Sequence, residues 1–238
     1  MKTRIILPDT DGISEAGAIL RSGGLVAFPT ETVYGLGANA LDATATKHIY
    51  EAKGRPSDNP MIVHVASIDM LNGVASGVTD AQKAIMSKLW PGPITFVLHK
   101  NPAVPDVTTG GLDTVAVRWP SRREAAEIIE AAGVPIAAPS ANISGKPSPT
   151  TFEDVAEDMD GRIDAIVKGE RTAIGIESTV LDLTSEVPTI LRPGFITKSQ
   201  IEEAACCEVK YDPSLFKKPG ADDFHPKSPG MKYKHYAP

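Results

Sequence analysis

Lys53 and Arg55 stand on either side of Gly54, at the end of a helical pattern and just before Pro-Ser-Asp-Asn-Pro. Two cations one glycine apart make a fork that suits a phosphate or a carboxylate. The plainer reading is that a helix C-terminus favours positive charge, with Gly54 supplying the left-handed residue after the last turn. Because both cations sit at a helix end, alanine at either is expected to leave the fold intact. A second polar group, Ser140-Ala141-Asn142, follows an apolar strand and runs into Ser144, Lys146 and Ser148. It is either a turn whose side chains satisfy local backbone, or a phosphate cradle at a strand's carboxyl end, where open α/β sheets place ligands. Arg118 closes the apolar run VAVR and Arg192 follows Thr189 to Leu191. Each either snorkels at a sheet edge or aims a bidentate guanidinium into a cleft. His64 lies within MIVHVA, where a lone histidine is more often a satisfied core residue. Thr32 and Tyr34 fall in a stretch, Pro29 to Gly37, that proline and glycine mark as a loop free to face a ligand.

Several chemistries are excluded. Gly145-Lys146 is not a P-loop, because Ser140 stands where the first glycine belongs and Pro147 where Ser or Thr belongs. Ser140 lacks the Gly-x-Ser-x-Gly frame of a serine hydrolase. The five histidines are scattered and no His-Glu-x-x-His occurs, so no metal site built by the protein is expected.

The elements that must position these residues can be read in order. Ile5 to Leu7 is a strand, Ile13 to Leu20 a helix closed by Gly23-Gly24, and Leu25 to Phe28 a strand. Gly17 is a weak point in that helix. Asp42 caps a helix through Ala52, and Met61 to Ala66 is a strand. Thr79 caps the next helix, which stops before Pro91. Ile94 to Leu98 and Thr114 to Val117 are strands, and Ser121-x-x-Glu124 is a capping box that opens a helix to Ala132. Val134 to Ala138 is a buried strand that Pro135 pulls toward an edge or a strand start. Thr151 opens a helix to Gly161; Ile163 to Val167, Thr179 to Leu183 and Thr189 to Leu191 are strands; Thr197-x-x-Gln200 opens a last helix. Strands and helices interleave, yet several strands follow one another directly. The expected fold class is therefore α/β: an open twisted mixed sheet with helices packed on its faces.

The chain has 238 residues, 42% of them apolar, enough for one sizeable core. Its net charge of −6 argues against general polyanion binding. Residues 207–238 differ in sign, with six lysines against four acids. From Asp212 the pattern dissolves into proline, glycine and charge, which gives an expected division into a folded domain, 1–206, and a linker with tail, 207–238. Cys206 and Cys207 are adjacent and suit no disulfide or zinc spacing. No run approaches the ~20 apolar residues of a membrane span, and the N-terminal apolar run is too short for a signal peptide. The chain reads as cytoplasmic.

Its motifs also carry a resemblance. PTETVYGLG, KGRP with the following Asn59-Pro60, WPGPIT, VAVRWP, APSANISGKPSPT, ESTVLDL and ILRPG, in that order from Pro29 to Gly194, resemble the YrdC-like family of threonylcarbamoyl-AMP synthases. SPGMKYKHYAP at the C-terminus is similar to the longer form of the family, whose members fold this segment over the active site and carry a second domain beyond it; the resemblance thus implies that residues 207–238 are a linker and an active-site-covering tail. Whether such a domain follows here, the sequence leaves open. The resemblance implies a reaction of L-threonine, bicarbonate and ATP giving threonylcarbamoyl-AMP and pyrophosphate, for modification of adenosine in tRNA by a downstream transferase complex. It implies Lys53 and Arg55 as catalytic, and Thr32, His64, Arg118, Ala138 and Ser178 on threonine. It places Arg55, Asn59, Thr114, Ser140, Asn142, Ser148, Arg192 and Tyr236 on ATP. Mg²⁺ would be held mainly by the triphosphate. Two rivals remain: a double-stranded RNA-binding module, which lacks a basic stripe with aromatics, and a hydrolase or transferase of a related carbamoyl-adenylate. Direct tRNA binding is left open.

Overall fold

Capped helices and short apolar strands alternate along residues 2–216, the part of the chain that the computed structural model describes. In order they are β1 (Arg4–Ile6), α1 (Thr10–Arg21), β2 (Val26–Pro29), β3 (Tyr34–Asn39), α2 (Ala43–Lys53), β4 (Ile62–His64), α3 (Ile68–Val74), α4 (Asp80–Leu89), β5 (Ile94–His99), α5 (Asp106–Thr109) and β6 (Thr114–Arg118). Then come α6 (Arg123–Ala132), β7 (Ile136–Ala137), α7 (Phe152–Met159), β8 (Ala165–Val167), β9 (Thr179–Asp182), β10 (Thr189–Arg192), α8 (Lys198–Ala205) and β11 (Lys210–Tyr211). Hydroxyl and carboxylate caps set the helix starts, because the first turn's N–H groups have no partner within the helix. Asp42 accepts from Thr44 N and Ala45 N, and full capping boxes stand at Thr79, Thr151 and Thr197.

The strands join one mixed sheet in the order β1-β8-β2-β3-β7-β4-β6-β5-β9-β10-β11. The expected α/β class holds. One face is buried under α2, α3, α4, α7 and α8, through residues such as Ile49, Leu71, Met86, Met159 and Ile201. The other is covered over half its width by α1 and α6, whose Leu20 and Ile128 pack on Phe28 and Ile136. Gly17 belongs to this contact: a Cβ there would lie 2.7 Å from the backbone of Ala131, so the weak point in the helix is where α1 and α6 cross closely. On the other half, Ile62, Val97, Ala116, Val180 and Leu191 form a strip to which no helix among the described residues contributes.

Four expectations change. Pro29 to Gly37 is not a loop: only residues 30–33 turn, closed by Thr30 Oγ1 donating to Val33 O at 2.7 Å, and β3 follows as a buried strand. Tyr34 is fully buried, its hydroxyl donating to Gly169 O at 2.9 Å, so it faces no ligand. Gly35 and Gly37 hid the strand's alternation; at Gly37 a Cβ would lie 2.7 Å from the Phe28 ring. Ser121 caps nothing, since α6 begins one residue later behind Arg122 and Glu124 is taken by that arginine at 3.0 Å. Lastly, the sheet runs past residue 206, because β11 pairs with β10 and Asp212 N donates to Ile190 O at 2.9 Å. Pro135 does precede a strand start, though in the middle of the sheet rather than at an edge.

Candidate active site

Strand direction assembles the site. β4 and β6 are parallel with His64 opposite Arg118, while β5 runs against β6 with Thr95 opposite Arg118. β5 is parallel to β9 and β10 runs back beside it, bringing Arg192 opposite Val180. The carboxyl ends of β4, β6 and β10 therefore meet the amino ends of β5 and β9. The cleft that opens there is lined by Thr32, Arg55, His64, Arg118, Ala138, Ser140, Ser178 and Arg192 of the expected residues. Thr30, Gly35 and Glu177 line it as well, and no motif reading had named them as site residues.

Arg118 is 4% exposed at the bottom of the cleft. Its Nη1 donates to Thr32 Oγ1 at 2.9 Å, and its Nη2 lies 2.8 Å from Glu31 Oε1. That second contact is an ion pair without hydrogen-bond alignment, and Arg118 Nε and Glu31 Oε2 also lack an aligned partner. Burial pushes the Glu31 carboxyl up, but the guanidinium beside it outweighs burial and holds it below its usual value. His64 is pushed down to about 3, by burial first and by Arg118 second, so it is a neutral imidazole. Its Nδ1 has no hydrogen-bond partner. A fixed cation with unaligned donors, beside a neutral ring and two threonine hydroxyls, is a place for a small carboxylate.

Across the cleft Arg192 pairs with Glu177 at 2.7 Å, while its Nε and Nη2 donate to Ser178 O and Ser178 Oγ at 3.0 and 3.1 Å. Ser148 Oγ donates to Glu177 Oε1 at 3.1 Å, so Ser148 supports this wall from behind. Ser178 Oγ also meets Thr95 Oγ1 at 2.8 Å.

Lys53 is the largest surprise. It does follow the expected helix end, with Gly54 in the left-handed region at φ 59°. Yet it is 1% exposed and lies behind the cleft, not in its lining. Its ammonium donates to Ser140 O and to Asn142 O, and approaches Asn142 Oδ1 at 3.4 Å. The expectation that alanine there leaves the fold intact is therefore corrected: removing it strands buried carbonyls. Burial, then the nearby Arg55, pushes Lys53 down to about 7. Asn142 is likewise behind the turn, donating to Ile143 O and Lys146 O at 2.9 and 2.8 Å. Arg55 does face the cleft, its Nη2 donating to Pro60 O at 3.0 Å. Asn59 is buried beneath it with Oδ1 unpartnered. Thr114 starts β6, on the same face as Arg118 but about 13 Å up the strand at ~3.3 Å per residue, outside the lining. Tyr236 lies outside the described residues. Among those residues no group of three His, Cys, Asp or Glu could hold a metal ion.

A mixed α/β sheet places Arg118 and Arg192 at strand ends, beside Arg55 after α2 and several hydroxyls, around one cleft. The chain belongs to the Sua5/YciO/YrdC family. That family's model, described as telomere recombination, matches residues 18–194, and the model of the threonylcarbamoyl-AMP synthase C-terminal domain matches residues 196–238. The chain is 53% identical over 223 residues to threonylcarbamoyl-AMP synthase of Pyrococcus abyssi, covering 94% of this chain and 64% of the relative. With the Bacillus subtilis protein of the same name the figures are 52% over 227 residues, 95% and 64%. This chain thus spans under two thirds of those relatives' length. Its fold matches the crystal structure of P. abyssi Sua5 complexed with L-threonine at a TM-score of 0.93 and 51% identity, covering 99% of this chain and 69% of that one.

Proposed function

We propose that this cleft joins L-threonine, bicarbonate and ATP into threonylcarbamoyl-AMP and pyrophosphate, for threonylcarbamoyl modification of adenosine in tRNA. The observation that carries the reading is the convergence of Arg55, Arg118 and Arg192 on one cleft with Thr32, Ser140 and Ser178. The relatives named for this activity and the threonine-bound P. abyssi protein support it.

In this reading the threonine carboxylate sits on Arg118 and Thr32, with neutral His64, Ala138 and Ser178 around its side chain and amine. The neutral amine joins bicarbonate with loss of water, or CO₂ with loss of a proton to solvent, to form an N-carboxylate. One of its oxygens attacks the α-phosphorus, the bond from that phosphorus to the bridging oxygen breaks, and pyrophosphate leaves. Arg55 faces the charge that develops there. Ser140 and Arg192 hold phosphate directly, while Lys53, Asn142 and Ser148 hold the groups that do so; Asn59 and Tyr236 complete the ATP site, and Thr114, at the far end of β6 from the cleft, has no part in it. No general base is needed at the phosphorus, so the rate rests on positioning and charge stabilisation. Among the described residues Glu177 is the one carboxylate in the cleft lining and is ion-paired with Arg192, so Mg²⁺ would be held mainly by the triphosphate, where it would supply charge neutralisation. The product passes to a tRNA-modifying transferase complex. Cytoplasmic residence fits the reading, and no helix among the described residues is long and apolar enough to cross a membrane.

Pyrophosphate release that requires threonine, bicarbonate and ATP together, without RNA, tests the proposal. Release only with RNA points to an RNA-dependent module, and release without threonine to another carbamoyl chemistry. Within it, Arg118→Lys keeps the charge but loses the fork. Its KM for threonine is expected to rise about tenfold or more while the KM for ATP changes little. If ATP suffers and threonine does not, Arg118 belongs to the nucleotide.

A further inference from the structure

The turn that carries Ser140 is held from behind by a residue that the proposed reaction does not use. Asp158, in the last turn of α7, is 6% exposed and outside the cleft lining. Its carboxylate accepts from Ile143 N at 3.0 Å and from Lys146 Nζ at 2.5 Å. From the opposite side Lys53 grips the carbonyls of Ser140 and Asn142, and Ser144 N donates to Lys53 O at 2.9 Å. Asn142 closes the turn upon itself through Ile143 O and Lys146 O.

We propose that Asp158 is a positioning residue for the nucleotide, fixing the Ile143–Lys146 turn so that Ser140 meets the phosphates preset. The inference rests on the reading of the cleft as an ATP site. Residues 140–148 include Gly145 at φ 92° and three exposed positions, Gly145, Lys146 and Pro147, and contain no helix or strand of their own. Such a segment has many conformations, and ordering it on binding would weaken affinity. Two charge-assisted bonds to one buried carboxylate remove that freedom in advance. A group meant only for stability could be met by any apolar contact of α7; a carboxylate aimed at a backbone N–H of the turn specifies its geometry.

The test uses the full chain and the pyrophosphate assay, with separate KM values for ATP and threonine and a thermal melt. Asp158→Ala is expected to raise the KM for ATP about tenfold while the KM for threonine stays within about twofold. Asp158→Asn still accepts from Ile143 N and is expected to return the ATP KM to within about threefold of wild type. Asp158→Glu, which keeps the charge but moves the acceptor, is expected to resemble alanine, and it serves with the asparagine variant if the alanine variant does not fold. An unchanged ATP KM in the alanine or glutamate variant, or both KM values rising together, overturns the proposal while leaving the cleft assignment in place. A wild-type chain without threonine-dependent pyrophosphate release overturns both.

Discussion

Arg55→Ala is expected to lower threonine- and bicarbonate-dependent pyrophosphate release by roughly 10²- to 10³-fold, the usual loss when one preorganised charge-stabilising group is removed. The fold should survive. Arg55 follows the helix end and lines the cleft, and although it is buried it belongs to no apolar core cluster, so truncation deletes polar contacts such as that to Pro60 O rather than core packing. A thermal midpoint within about 4 °C of wild type corresponds to a loss of roughly 1 kcal/mol in a chain of this size. Retained turnover would remove Arg55 from the chemistry.

Lys53→Ala is expected to fail differently. It leaves Ser140 O and Asn142 O without the ammonium they accept from, and empties a site that is 1% exposed. Stranded carbonyls and a cavity together give about 2–4 kcal/mol, offset in part because a costly buried charge is also removed. Activity should fall at least 10²-fold with it, because the turn holding Ser140 is released. Lys53 also predicts a pH signature. Its folded value near 7 lies below the ordinary lysine value of 10.5, so between those limits the unfolded chain binds a proton that the folded chain has shed. Its contribution to stability therefore rises with pH across that window, and is smallest below pH 7, where both states carry the charge. Melts of wild type and Lys53→Met from pH 7 to 10 should diverge accordingly, wild type gaining on the variant. Parallel curves would mean that Lys53 keeps its charge throughout.

Much of this was legible in the residues. Capping chemistry is local, so Asp42, Thr79, Thr151 and Thr197 announced their helices. Arg118 and Arg192 were ambiguous between edge and cleft until strand order placed both at one end of the sheet. Strand β3 was missed because glycine erases the alternation that marks a strand, and the reason for Gly37, the Phe28 ring, lies on a neighbouring strand. Lys53 beside Arg55 read as a matched pair. That α2 turns one inward and leaves the other on the cleft depends on the turn at Ser140, 87 residues away. Glu31 and Glu177 carried only a weak signal, as acids in motifs otherwise rich in hydroxyls, and Asp158 carried none, as one of four acids on an ordinary acidic helix. Their partners, Arg118, Arg192 and Ile143, are all distant in sequence.

The central claim is that carbon from bicarbonate is joined to threonine and then to AMP in this one cleft. Incubating the chain with isotopically labelled bicarbonate, threonine and ATP, and identifying the adenylate by mass spectrometry, tests it most directly. The account predicts an adenylate that carries both the label and threonine, formed together with pyrophosphate, and lost in Arg55→Ala. An unlabelled threonyl adenylate, or ADP and phosphate in place of pyrophosphate, would contradict it.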